Sequence, residues 1–143
     1  MIKYKIGYTT GVFDLFHIGH LNLIRQAKAR CDYLIVGVSI DSLVAYKHKT
    51  AVIPFEERIE IVRALKYVDE AVPQYDHDKM AAWKQYKFDV MFVGDDWKNT
   101  GKWASFELEF KSVGVDIIYF PYTKNTSSTL INDTLMRLRN EDK

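Results

Sequence analysis

The sequence holds a single cysteine, Cys31, which excludes an internal disulfide and fits a reducing compartment. Its expected place is that of a small buried apolar residue following a helix. An excess of one charge is also missing: 20 Lys and Arg stand against 19 Asp and Glu, a formal net charge of +1. That balance gives no polyanion-binding signature, so nucleic acid and anionic membranes are disfavoured as main partners. A small anionic ligand remains allowed, because a few placed lysines suffice for it. Long apolar runs are absent too; Tyr33–Val38 falls far short of the ~20 residues that a membrane helix needs. Met1–Ile6 runs straight into strand-like sequence, with no apolar core region or small-residue cleavage site. These absences predict a soluble, cytoplasmic chain without membrane insertion. No internal repeat, low-complexity tract or linker interrupts the 143 residues, so 1–143 is expected to form one domain.

What is present is an alternation of short apolar runs with amphipathic helical patterns. Strands are predicted over Ile6–Thr10, Tyr33–Val38, Ala71–Pro73, Val90–Gly94 and Val115–Phe120. Helices are predicted over about Leu21–Ala29, from Pro54 through Leu65, over Lys79–Tyr86, over about Ser105–Ser112 and over Ser127–Arg139. In the last, Leu130, Ile131, Thr134, Leu135 and Leu138 share one side. Trp83 and Met91 read as core. Strands alternating with helices imply an α/β fold, a single Rossmann-like doubly wound parallel sheet with helices on both faces. Ligands of such sheets bind outside the carboxyl ends of the strands. The residues just after each apolar run are therefore the ones to weigh.

Thr10-Gly11-Val12-Phe13-Asp14-Leu15-Phe16-His17-Ile18-Gly19-His20 follows the first strand. Gly11 and Gly19 suit a sharp turn and close approach of a ligand, and donors at a helix N-terminus attract phosphate. Two histidines flanking a glycine can point at one small volume and donate to polyphosphate oxygens. As loop residues they add little to a core, so replacing either is expected to spare the fold. A zinc site lacks support, because His48 and His77 show no ligand spacing. Asp14 suits bracing of the loop through backbone donors, and Asp41 either a helix cap or a ribose contact. Lys47 and Lys49 lie in a polar loop after a helix-like extension of the second strand; their alternate spacing puts both ammonium groups on one side. Gly94-Asp95-Asp96-Trp97 follows the fourth strand, where a carboxylate can accept from cytosine or ribose and an indole can cover an apolar face. Ser127, Ser128 and Thr129 form an ordinary N-cap cluster that can also hold phosphate.

The run Gly11–His20, together with Lys47-His48-Lys49, Arg58 in Glu56-Glu57-Arg58, Tyr67-Val68-Asp69-Glu70, Gly94-Asp95-Asp96-Trp97 and Ser127-Ser128-Thr129, resembles the cytidylyltransferase-like nucleotidyltransferases. The similarity is greatest to the branch acting on glycerol 3-phosphate. It implies transfer of a cytidylyl group from CTP to a small phosphorylated acceptor, giving CDP-glycerol and pyrophosphate, by a homodimer that serves cell-surface polymer synthesis. Magnesium is implied as the cation, bound mainly through the CTP phosphates; no metal site on the protein is expected. The resemblance assigns His17, His20 and Lys47 to catalysis. It assigns Thr10, Gly11, Val12, Phe13, Gly19, Gly94, Asp95, Tyr122, Ser127, Ser128 and Thr129 to the nucleotide. Lys47, Lys49, Asp14, Arg58 and Trp97 fall to the acceptor. Two departures stand out: Val12 replaces the family's threonine and Tyr122 its arginine. Phosphoethanolamine, phosphocholine and phosphoglutamine therefore stay open as acceptors, as does a nucleotide-binding module without turnover.

Overall fold

The computed structural model of the chain describes residues 3–45, 50–94, 101–121 and 127–141. Among these residues five strands, β1 (Tyr4–Gly11), β2 (Cys31–Ser39), β3 (Glu70–Gln74), β4 (Val90–Gly94) and β5 (Asp116–Phe120), form one sheet in the order β3-β2-β1-β4-β5. Every pairing is parallel. The fold is thus the doubly wound α/β sheet expected from the alternation. Among the described residues six helices accompany it: α1 (Ile18–Lys28), α2 (Asp41–Ala45), α3 (Phe55–Arg63), α4 (Lys79–Tyr86), α5 (Gly101–Ser112) and α6 (Ser128–Glu141).

Two apolar clusters cover the two faces of the sheet. One joins Phe13, Ile24, Ala27, Cys31, Leu34, Ile59, Val62 and Phe92, so α1 and α3 lie on that side. The other joins Tyr8, Ile35, Phe88, Met91, Trp103, Phe110 and Val115, under α4 and α5. Burial on both faces explains why β2 and β4 read as unbroken apolar runs. Cys31 opens β2, fully buried, and burial pushes its thiol up to about 11, so it packs as a small apolar residue. Met91 is core as expected; Trp83 is half-buried, with the Lys87 ammonium 4.1 Å from its ring centre.

Some boundaries differ from the sequence reading, each for a local reason. Pro54 is the N-cap of α3 rather than its first turn, with an extended ψ of 154°. Pro73 sits in β3, an edge strand, where a missing donor is tolerated. The apolar side of α6 is less covered than its periodicity suggests: Leu130, Leu135, Met136 and Leu138 are about half exposed. No described helix is long and apolar enough to cross a membrane.

In this strand order the connections diverge on either side of β1, which makes the crevice between the ends of β1 and β4 the switch point where ligands bind. Buried polar groups tie that edge together. Ser39 Oγ lies 2.8 Å from Gln74 Oε1 and 3.3 Å from the Gly11 carbonyl, linking the ends of three strands. Thr9 Oγ1 donates to the Phe92 carbonyl at 2.9 Å and joins β1 to β4.

Candidate active site

The loop after β1 turns sharply, but not at its glycines. Phe13 (φ 56°) and Leu15 (φ 49°) adopt the left-handed region, whereas neither Gly11 nor Gly19 does. Gly11 relieves crowding instead: a Cβ there would lie 3.0 Å from the Phe13 ring, tighter than an ordinary contact. Non-glycine residues in that region cost on the order of 1–3 kcal/mol each and persist only where surroundings over-determine them. Here the surroundings are explicit. Asp14 accepts from the backbone N–H of Val52 (2.8 Å) and Ile53 (2.9 Å). Arg58 Nη1 donates to the Val12 carbonyl at 2.7 Å, and the Ser128 hydroxyl donates to the Asp14 carbonyl. Phe13 buries its ring edge-on to His20, with centroids 5.4 Å apart.

This brace corrects one acceptor assignment, that of Arg58. Both Asp14 carboxylate oxygens accept from the backbone of the 52–53 segment, as its bracing reading anticipated. Arg58, expected at the acceptor, has a side chain with no exposure and donates to the carbonyls of Ile53, Val12 and Ser39 and to Asp41 Oδ1. It holds the loop from beneath rather than facing a ligand. Asp41 acts as a cap-like partner, accepting from the Phe55 N–H as well as Arg58.

The histidines do more than the loop reading allowed. His17 is the N-cap of α1, and its Nδ1 accepts from the Gly19 N–H at 3.0 Å. His20 reciprocates: its Nδ1 accepts from the His17 N–H at 3.2 Å, completing a capping box built from two imidazoles. The Gly19 amide, expected to serve a phosphate, is therefore turned to His17. Substituting either histidine therefore removes half of a cap, and loss of a cap typically costs about 1 kcal/mol.

The cap fixes the chemistry. A ring whose Nδ1 accepts, if neutral, carries its proton on Nε2. Burial lowers the His17 pKa. Burial, and then the neighbouring His17, push that of His20 down to about 4, with Asp14 opposing. Both rings are neutral near pH 7, with centroids 3.9 Å apart. The pair thus offers two Nε2–H donors side by side at the mouth of α1, a geometry suited to phosphate oxygens.

A pH dependence follows. The folded pKa of His20 lies below its unfolded value of about 6.5, so the unfolded chain binds more protons between the two. The stability contributed by neutral His20 is complete above pH ~6.5 and is lost as pH falls through about 4. Urea midpoints measured across that window should decline, and the decline should be shallower in His20→Ala. An equal slope in the variant would contradict the assignment.

The remaining expected residues divide clearly. Thr10 lies near the end of β1, with its Oγ1 3.3 Å from Lys79 Nζ. Gly94 ends β4 beside Phe120. Ser127 caps α6, accepting from the Leu130 N–H at 3.0 Å, while Ser128 clasps the histidine loop, and Thr129 is exposed in the first turn. Lys47, Lys49, Asp95, Trp97 and Tyr122 lie outside the described residues. Sequence reasoning missed Lys79, Ser39 and Gln74, all buried at the sheet's carboxyl edge. Among the described residues no group of three His, Cys, Asp or Glu could hold a metal ion.

Comparison with known proteins bears on this site. The glycerol-3-phosphate cytidylyltransferase of Bacillus subtilis (strain 168) is 34% identical over 137 residues, covering 91% of this chain and 96% of the relative. An FAD synthase of Methanosarcina mazei is 33% identical over 132 residues, covering 90% of this chain and 87% of its own. The ethanolamine-phosphate cytidylyltransferase of Mus musculus is 53% identical over 64 residues, covering 44% of this chain and 16% of that one. Among solved structures, the lipopolysaccharide core biosynthesis protein of Thermoplasma volcanium aligns at a TM-score of 0.72 and 26% identity, covering 86% of this chain and 99% of its own. The cytidylyltransferase-like family model matches residues 8–134, from the middle of β1 into α6, and so takes in the histidine cap, its brace and the Ser128 clasp. The chain belongs to the cytidylyltransferase-like family and is a nucleotidyltransferase.

Proposed function

We propose that this nucleotidyltransferase moves the cytidylyl group of CTP onto glycerol 3-phosphate. The observation that carries the reading is similarity over nine-tenths of the chain to an enzyme of that name. An oxygen of the acceptor phosphate attacks the α-phosphorus of CTP in line. The new bond is P–O–P; the bond from the α-phosphorus to the bridging oxygen breaks, and pyrophosphate leaves with its electron pair. No protein nucleophile is needed, so catalysis is positioning plus stabilisation of charge on phosphate oxygens. His17 and His20 donate from Nε2 to the reacting triphosphate. Lys47 neutralises charge on the phosphates, Lys49 and Trp97 serve the acceptor, and Asp95 serves the nucleotide. Thr129, in the first turn of α6, serves the terminal phosphates. Magnesium, when bound, would be held mainly through the triphosphate oxygens and would supply neutralisation of their charge.

A second reading, transfer to phosphoethanolamine, is favoured by the 53% identity over 64 residues to the murine relative. A pyrophosphate-release screen crossing four nucleoside triphosphates with glycerol 3-phosphate, phosphoethanolamine and phosphocholine separates them. CTP with glycerol 3-phosphate should give the highest kcat/KM. Equal or better turnover with ATP would refute the cytidylyl assignment, and a preference for phosphoethanolamine would replace the acceptor.

A further inference from the structure

The carboxyl edge of the sheet opens along one seam. β1 stays in register with β2 up to Gly11↔Val38, and β4 with β5 up to Gly94↔Phe120. Between β1 and β4 the register ends earlier, at Tyr8↔Met91, although both strands run three residues further. Those last residues line a slot at the switch point, and a side chain closes its apex. Thr9 Oγ1 donates to the Phe92 carbonyl at 2.9 Å, and these two are the first residues past the last registered pair. Thr9 is 1% exposed, so water does not compete for the bond.

Both ends of this bond are held from elsewhere. Thr9 is paired with Val36 of β2. The Phe92 ring stacks on Phe120 with centroids 5.5 Å apart, and Gly7 makes room for it, since a Cβ there would lie 2.6 Å from the ring. The hydroxyl thus ties the β1–β2 half of the sheet to the β4–β5 half just where their register ends. Each half carries part of the site: β1 runs on into the histidine loop, and β4 ends at Gly94, which Asp95 follows in sequence. A nucleotide held by both lips depends on how far apart they stand. We propose that Thr9 is a positioning residue for the nucleotide, its hydroxyl setting the width of the slot between β1 and β4; the inference rests on the transferase reading above.

Thr9→Val and Thr9→Ser test it. Valine keeps the branched shape and removes the donor, whereas serine keeps the donor and removes a methyl group. CTP binding in the presence of magnesium is measured by calorimetry, beside the KM values for CTP and glycerol 3-phosphate and the melting temperature. In the valine variant the Kd and KM for CTP should rise about tenfold, the equivalent of one buried hydrogen bond, with the acceptor KM within about twofold of wild type. The serine variant should melt lower, having lost a packed methyl group, yet keep both CTP constants near wild type. Thr9→Cys, a weaker donor, should fall between the two and replaces valine in the comparison if that variant does not fold. CTP binding undiminished in the valine variant, whatever its melting temperature, marks a purely structural threonine and overturns the proposal. An equal loss of CTP affinity in serine and valine also overturns it, because packing and not the hydroxyl would then be responsible. Failure of the transferase reading looks different: the wild type itself would release no pyrophosphate with any acceptor, and the calorimetric comparison would still decide the role of Thr9.

Discussion

Replacing His17 or His20 by alanine should lower kcat by ~10²–10³, the usual cost of removing one donor aimed at charge that builds in the transition state. The same substitutions should also lower the melting temperature by a few degrees, because each breaks one half of the capping box on α1. The two effects have separable origins, and His17→Ser separates them. Serine is a strong N-cap and restores an acceptor for the first-turn amides, but it places no donor where Nε2 stood. His17→Ser should therefore recover the melting temperature of the wild type while kcat stays at the level of His17→Ala. Either alanine variant retaining more than about a tenth of wild-type kcat would remove that histidine from the chemistry. Recovery of kcat along with stability in His17→Ser would mean the imidazole acts only as a cap.

Arg58→Met should be the most destabilising single substitution near the site, by about 3–5 kcal/mol. The guanidinium side chain has no exposure and donates to Ile53 O at 2.8 Å, to Val12 O and Ser39 O at 2.7 Å each, and to Asp41 Oδ1 at 2.6 Å. Methionine fills much of the volume but leaves those carbonyls without their donor in a place with little water, and each orphaned group costs ~1–3 kcal/mol. Lysine does not substitute, because it lacks the rigid fork that reaches all four oxygens. The partner side is asymmetric: Asp41 is 53% exposed, and Asp41→Asn should cost no more than about 1 kcal/mol. Urea midpoints at constant m give both numbers. A loss below about 1 kcal/mol for Arg58→Met would show that the loop does not depend on this brace.

The contrast between those residues shows what a linear sequence displays. The ends of α4 and β4 match their sequence patterns residue for residue, since Lys79–Tyr86 and Val90–Gly94 are set by local periodicity and burial. The histidine pair was legible as chemistry because both residues lie within one turn of a strand-to-helix junction. Their capping role was not, because histidine is not a usual N-cap and the sequence pattern placed the start of α1 at Leu21 rather than Ile18. Arg58 looked like a ligand cation. Its true partners, the carbonyls of Val12 and Ser39, lie 46 and 19 residues away and carry no side-chain signal. Lys79 was passed over for the converse reason: one lysine opening an amphipathic helix reads as solvated until the sheet edge is assembled around it. The left-handed turn was assigned to glycines by habit of composition, whereas Phe13 and Leu15 hold it through tertiary bracing.

The account turns on both imidazoles being neutral at working pH with the proton on Nε2, the only arrangement that lets them cap α1 and still donate to a triphosphate. Long-range ¹H–¹⁵N correlation spectra of histidine-labelled protein at pH 7 read the tautomer of each ring directly. His17 and His20 should both show an unprotonated Nδ1 and a protonated Nε2, with His20 keeping that pattern down toward pH ~4. A proton on Nδ1 of either ring, or an imidazolium at pH 7, would contradict the capping box and the donor pair built upon it.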